Sequence, residues 1–187
     1  RCRHGLSYSG YECGRGGVNA AQTLFIPRGE NVELWDLRLE NASGRPRSLS
    51  VYSYAEFSYH QIPIDSQNFQ MSLYCAGSGY EDGIIDYELF YEGAYQFMAA
   101  SFRPDGFDCL RDAFLGPYRA ESCPLAVERG ACFGSIEKGG NHCAVLQKRL
   151  ELAPGEQARL IWMLGEGGSA EGRRIREKYS DPAEVDR

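Results

Sequence analysis

The chain has 187 residues, 43% of them hydrophobic, and a formal net charge of −6. That composition supports a full core, argues against disorder, and makes nucleic acid and anionic membrane poor candidates for the main partner. No apolar run reaches the length of a membrane span: even Leu160–Leu164 is flanked by Arg159 and Glu166.

Residues 1–17 are Gly-rich and polar, with Arg3-His4-Gly5-Leu6-Ser7-Tyr8 as their most distinctive run. The absence of a leading Met suggests a processed or excised piece. Val18–Pro27 and Asn31–Asn41 read as two strands joined by Arg28-Gly29-Glu30. In the second, Val32, Leu34, Asp36 and Arg38 oppose Glu33, Trp35, Leu37 and Leu39, so one face is expected to be richer in apolar groups. The turn Ala42–Pro46 then predicts a hairpin into the next strand. That strand alternates Leu49, Val51, Ser53, Ala55 and Phe57 against Ser48, Ser50, Tyr52, Tyr54 and Glu56. It breaks at Gln61–Pro63 and leads to the polar-aromatic run Asn68, Phe69, Gln70. Its Tyr-bearing face is a candidate sugar-contacting surface, although Tyr is also a plain sheet former.

After a Gly/Ser loop, Ile84–Tyr91 and Tyr95–Phe102 predict a hairpin around Glu92-Gly93-Ala94. Arg103–Arg119 lacks a steady period and is expected to be an ordered loop; Ser122–Asn141 continues irregularly. Cys143–Leu152 and Gln157–Leu164 predict a last hairpin across Ala153-Pro154-Gly155-Glu156. Only the tail changes period. Ser169 is placed to cap a helix over Ala170–Tyr179, with Ile175 and Tyr179 on one face and Asp181-Pro182 ending it. The fold class that follows is all-β, an antiparallel β-sandwich with long loops and a C-terminal helix. Residues 1–167 form the sandwich, lacking its first strands, and 168–187 form a helix leading to a further domain.

Seven cysteines, at positions 2, 13, 75, 109, 123, 132 and 143, are odd in number and include no C-x-x-C pair. They read as reduced, mostly buried thiols of a cytoplasmic protein rather than as a disulfide framework. Cys132, His142 and Cys143 match no common zinc spacing, so no metal is expected. Asn41-Ala42-Ser43 is formally a glycosylation sequon, without meaning in a cytoplasmic chain.

Catalytic candidates are few. There is no nucleophile elbow and no phosphate-binding glycine loop. Glu56 with His60 is the one nearby acid–base pair a mutarotase-like epimerase would use. On an extended strand, however, the two lie about 13 Å apart. Asp105, Asp108 and Asp112 invite a glycosidase reading with paired carboxylates. Beside Arg103, Arg111 and Arg119 they are better read as partners in internal ion pairs.

Several runs, taken in order, resemble one family. They are His4-Gly5-Leu6-Ser7-Tyr8, Thr23-Leu24-Phe25-Ile26-Pro27, Ser53-Tyr54-Ala55-Glu56-Phe57, Asn68-Phe69-Gln70, Gly106-Phe107-Asp108, Arg111–Gly116, Leu150–Glu156 and Met163-Leu164-Gly165. Together they look like the N-terminal region of the inverting β-glucoside phosphorylases of glycoside hydrolase family 94. Phe57-Ser58-Tyr59-His60, Gln70-Met71-Ser72-Leu73-Tyr74 and Gly140-Asn141-His142-Cys143 are most similar to the cellodextrin phosphorylase branch. The resemblance implies a supersandwich of galactose-mutarotase type, followed by linker helices, an (α/α)6 catalytic barrel and a small β-domain. It implies phosphorolysis of β-1,4-glucan oligosaccharides to α-glucose 1-phosphate, in a cytoplasmic homodimer. Inorganic phosphate is the co-substrate and no other cofactor is implied. Because phosphate is already an anionic nucleophile, one acid suffices, and in this family it lies in the barrel, so no catalytic residue is expected in this chain. The substrate-binding residues implied are Asn68, Phe69, Gln70 and Met71, reaching the active-site mouth of a neighbouring subunit. Cellobiose-specific relatives carry Arg where this chain has Met71, and an uncharged side chain there leaves room for longer glucans. A free-standing carbohydrate-binding module is the alternative from a different class.

Overall fold

The computed structural model describes residues 1–57, 63, 67, 73–90 and 93–187. Among them, thirteen strands form two antiparallel sheets. The larger sheet takes β1 (Cys2–His4), β2 (Tyr8–Arg15), β3 (Val18–Phe25), β4 (Val32–Asn41), β7 (Ala76–Glu81), β8 (Ile84–Leu89), β9 (Ala94–Ala100), β11 (Glu137–Lys138) and β13 (Gln157–Glu166). Their order across it is β1-β2-β3-β4-β13-β9-β8-β7-β11. The smaller sheet is β10 (Gly106–Leu110), β12 (His142–Leu152) and β5 (Arg47–Tyr52), with β6 (Ala55–Glu56) pairing further along β12. Short helices α1 (Arg111–Leu115) and α2 (Leu125–Arg129) follow β10, and α3 (Ser169–Tyr179) and α4 (Pro182–Val185) close the chain. The expected antiparallel sandwich is therefore present.

Period-2 alternation explains the layering. Leu160 and Trp162 of β13, Met98 and Ala100 of β9, and Ala144 and Leu146 of β12 point into the space between the sheets, where they meet Leu39, Phe57, Tyr87 and Leu89. The intervening residues Ile161, Met163, Phe97 and Ala99 point the other way, under Ile175, Tyr179 and Val185 of α3 and α4. Burying those three helical side chains contributes about 5 kcal/mol of gross transfer energy. On the outer face of the small sheet, Cys143 and Val145 pack with Phe114, Leu115 and Ala126 of α1 and α2. Most of the central strands are thus covered on both sides, which is why β4 buries Val32, Leu34 and Asp36 as well as Leu39 instead of showing one apolar face. At the other extreme, β1 and β2, at one end of the strand order, remain largely exposed.

The β3–β4 and β8–β9 hairpins form where the sequence places them. The other two expected hairpins do not. β4 and β5 lie in different sheets, as do β12 and β13, so both connections are corners that carry the chain across the sandwich. Asn41, fully buried, joins the two corners. Its Nδ2 donates to the carbonyls of Arg45 (2.8 Å) and Leu152 (2.9 Å), and its Oδ1 accepts from the Ser43 amide (3.0 Å). Its backbone pairs with Glu156 and Gly155 of the opposite corner. The sequon asparagine is therefore a structural pin, inaccessible to modification in the folded chain.

Two irregular stretches contain more structure than expected. Arg103–Arg119 holds β10 and α1, and Ser122–Asn141 holds α2 and β11. At the C-terminal helix, Ser169 is the first helical residue and Gly168 the cap position, without a side-chain cap. Asp181 instead caps α4, its Oδ1 accepting from the Ala183 amide at 2.9 Å. The cysteines form no disulfide, but they are not mostly buried: Cys109 and Cys143 are, Cys75 and Cys132 are half-buried, and Cys2, Cys13 and Cys123 are exposed.

Candidate functional site

The candidate binding residues Asn68, Phe69, Gln70 and Met71, and His60 of the acid–base pair, lie outside the described residues. What the structure does describe is the frame on which that segment is mounted. The segment leaves the small sheet after β6 and re-enters the large sheet at β7, so its two ends belong to opposite layers. On the departing side the Phe57 amide donates to the His142 carbonyl (3.3 Å), and the Phe57 ring stacks on Tyr87 with centroids 5.1 Å apart. On the returning side, the carbonyl of Ala76 accepts from the Gly139 amide at 2.8 Å.

His142 stands between the two. Its Nδ1 is 2.8 Å from Ser78 Oγ on β7, and its ring tilts against Tyr87 at 5.4 Å. Burial pushes its basicity down, opposed by the nearby carbonyls of Leu73 and Ala76, so the ring sits neutral between the layers. The two ends of the segment that bears Asn68–Met71 are thus anchored on stacked rings from two sheets, the kind of rigid support that positions contact residues.

The other candidate chemistry is committed to structure. Glu56 accepts from Arg111 Nε at 2.9 Å and from the Tyr54 hydroxyl, and Arg111 also reaches Glu121 at 2.8 Å. Burial first, then that hydrogen bond to Glu56, raises the Tyr54 hydroxyl well above its ordinary range. Tyr52 and Tyr54 are not an open sugar platform. They pack on Phe114 of α1, with ring centroids 6.0 and 5.4 Å apart, and the α1–α2 segment covers their face of the strand.

The three loop aspartates do not face one another across a cleft. Asp108 is fully buried and accepts from the amides of Phe133 (3.0 Å) and Ser135 (3.0 Å) and from Ser135 Oγ (2.7 Å). Asp105 accepts from the Arg149 amide (2.8 Å) and pairs with Lys148 (3.2 Å). Burial works against its carboxylate, but those two donors hold it below its ordinary range. Asp112 sits in the first turn of α1. The expected ion pairs exist for Arg111 and Arg119, yet their partners are Glu56, Glu121 and Glu128 rather than the loop's own aspartates. Among the described residues no group of three or more His, Cys, Asp or Glu side chains is arranged to hold a metal, and Cys132, His142 and Cys143 each serve separate contacts.

Two antiparallel sheets packed face to face, the smaller covered outside by α1 and α2, make this a β-sandwich domain. Its family is shown by comparison: the profile of the family described as "Glycosyl hydrolase 94, supersandwich domain" matches residues 1–182, and the chain belongs to that family. The chain is 47% identical over 189 residues to an N,N'-diacetylchitobiose phosphorylase of Vibrio proteolyticus, covering 98% of this chain and 23% of that protein. It is 31% identical over 191 residues to a solabiose phosphorylase of Paenibacillus borealis, covering 99% and 25%. The chain therefore spans about a quarter of the length of these curated relatives. Among solved structures, a polysaccharide lyase shares the fold at a TM-score of 0.53 and 15% identity, covering 93% of this chain and 23% of that one.

Proposed function

We propose that this chain is the N-terminal domain of an inverting phosphorylase. The full-length protein would cleave a β-linked disaccharide or short oligosaccharide with inorganic phosphate and release an α-glycosyl 1-phosphate. The similarity over nearly the whole chain to N,N'-diacetylchitobiose phosphorylases carries the reading, and it favours a β-linked N-acetylglucosamine disaccharide as substrate. The chemistry of the described residues is consistent with it. Phosphorolysis needs one acid and no general base, since phosphate brings its own charge. Glu56, Asp105 and Asp108 are each held by structural donors, which agrees with an acid supplied by an (α/α)6 domain of the full-length protein. The domain's part is to present the Asn68–Met71 segment to substrate, at the mouth of a partner subunit's active site in a cytoplasmic homodimer.

A second reading, phosphorolysis of cellodextrins, is favoured by the uncharged Met71 within Gln70-Met71-Ser72-Leu73-Tyr74. The experiment is to incubate the full-length protein with phosphate and, in parallel, N,N'-diacetylchitobiose, cellobiose, cellotriose and cellotetraose, following sugar 1-phosphate by NMR. Turnover of the first supports the leading reading, and turnover of the glucans alone supports the second. An absence of sugar 1-phosphate from every substrate overturns both.

A further inference from the structure

The edge strand β1 carries a constellation that the phosphorylase reading does not use. β1 pairs antiparallel with β2 in the register Cys2↔Tyr11, His4↔Ser9. Cys2 and His4 are two residues apart on a strand and so share a face, with Ser9 and Tyr11 as their cross-strand neighbours on that face. Cys2 Sγ lies 3.2 Å from His4 Nε2, and His4 Nδ1 lies 2.9 Å from Ser9 Oγ. The Tyr11 ring meets the imidazole edge-on, with centroids 6.1 Å apart. In the tautomer that donates Nδ1–H to Ser9, the lone pair of Nε2 faces the thiol. This is a nucleophile, a base within reach of it, and a third group that orients the base.

We propose that Cys2, His4 and Ser9 form a reactive-thiol site that exchanges with low-molecular-weight disulfides. His4 Nε2 takes the Cys2 proton, and the thiolate attacks one sulfur of the disulfide. A new S–S bond forms at Cys2, the old one breaks, and the departing thiolate recovers the proton from the imidazolium. Cys2 is oxidised and half of the disulfide is reduced, so no further oxidant is needed.

The other thiols are built differently. Cys109 and Cys143 are buried, and burial pushes the Cys109 thiol up to about 12 and the Cys143 thiol higher still. Cys13 and Cys123 are exposed like Cys2, but neither has an imidazole beside it among the described residues. Cys123 has the Arg119 guanidinium 3.9 Å from its sulfur, a charged neighbour of its own. Cys13 therefore serves as the internal control for exposure alone.

The full-length protein is incubated near neutral pH with glutathione disulfide, and mixed disulfides are quantified at each cysteine by peptide mass spectrometry. A parallel series uses iodoacetamide, which has no disulfide leaving group. Cys2 is expected to react about tenfold faster than Cys13 in both series. His4→Gln should bring Cys2 down to the rate of Cys13 while leaving Cys13 unchanged. Ser9→Ala, a positioning variant, should move the pH profile of Cys2 labelling toward alkaline values, and Ser9→Thr should restore it. Far-UV circular dichroism checks that β1 and β2 survive each substitution. Equal rates at Cys2 and Cys13 in the unsubstituted protein, or a Cys2 rate indifferent to His4→Gln, overturn the assignment.

Discussion

Replacing Asn41 with Ala should unfasten the two corners that turn this chain from one sheet to the other. The side chain makes four hydrogen bonds: Nδ2 to the carbonyls of Arg45 and Leu152, and Oδ1 from the amide and the hydroxyl of Ser43. These losses are unequal. Ser43 and Arg45 are open enough to solvent for water to replace the lost partner, at about 0.5 kcal/mol each. The Leu152 carbonyl is in a residue only 2% exposed and pairs across the ladder with Arg47; losing its second donor, together with the buried void the truncation leaves, costs about 2 kcal/mol. The sum is about 3 kcal/mol. With a urea slope of about 2 kcal/mol per molar, the midpoint should fall by about 1.5 M with the slope unchanged. Ser43→Ala removes one of the four bonds to Asn41 and the hydroxyl's exposed bonds with Arg45 and Arg47, and should cost about 1 kcal/mol or less. Asn41→Asp keeps the acceptor but turns a carboxylate oxygen on two carbonyls, and should be at least as harmful as Ala at neutral pH. The assay is urea unfolding followed by the fluorescence of Trp35 and Trp162. An Asn41→Ala midpoint within about 0.3 M of the unsubstituted chain would refute the pin, because four lost hydrogen bonds and a buried void have no route to so small a loss.

Three further outcomes are expected. Arg159 grips the buried Asp36 with two bonds, at 2.8 and 2.9 Å, and also reaches Asp186, so Arg159→Met should cost about 3 kcal/mol in the same unfolding assay, while Asp36→Leu combined with Arg159→Met should recover most of it. The docking of α3 and α4 should weaken in acid. Arg159 holds Asp186 low, Arg174 and Lys178 hold Glu30 low, and Arg174 holds Glu171 low. Carboxylates depressed in the folded state contribute stability above their unfolded values and lose it as pH falls through their folded ones. Amide hydrogen exchange in α3 should therefore accelerate, relative to the β13 core, from about pH 4 downward, and uniform acceleration of both elements would contradict this. Finally, Gln70→Ala in the full-length protein should raise the acceptor KM with little change in kcat; unchanged kinetics for both disaccharide and cellotriose would remove Gln70 from the proposed contact segment.

Local chemistry was legible where it decides the outcome locally. Arg28-Gly29-Glu30 and Glu92-Gly93-Ala94 mark turns whose flanking strands pair with each other, and both hairpins are found. The turns Ala42–Pro46 and Ala153–Glu156 look the same in sequence, yet each joins different sheets. A short Gly/Pro turn between two alternating runs serves a hairpin or a sandwich corner equally well. Here the choice is made by Asn41 bonding to Leu152, 111 residues later, which no local window contains. β10 was lost for a different reason. Phe107 and Cys109 do alternate toward the core, but Asp108 between them is an acid that also turns inward. Its signal was available only with its partner, the Phe133–Ser135 amides that satisfy it.

The same logic separates the two halves of the stretch from Arg47 to Tyr74. Its alternating half carries two tyrosines that sequence alone offers as a sugar platform, and α1 claims them through Phe114. Its acid, Glu56, is claimed by Arg111, 55 residues away. Once these groups are committed, the polar and aromatic side chains left for substrate in this stretch are those beyond Phe57. A segment whose two ends lie in different sheets needs both ends fixed if its side chains are to meet a ligand in a reproducible place. The Phe57–Tyr87 stack and the His142–Ser78 contact fix them from opposite layers. Loosening that base, as by Phe57→Leu, should therefore raise KM before it lowers global stability by more than about 1.5 kcal/mol. Loss of stability with KM intact would mean that the stack supports the core alone.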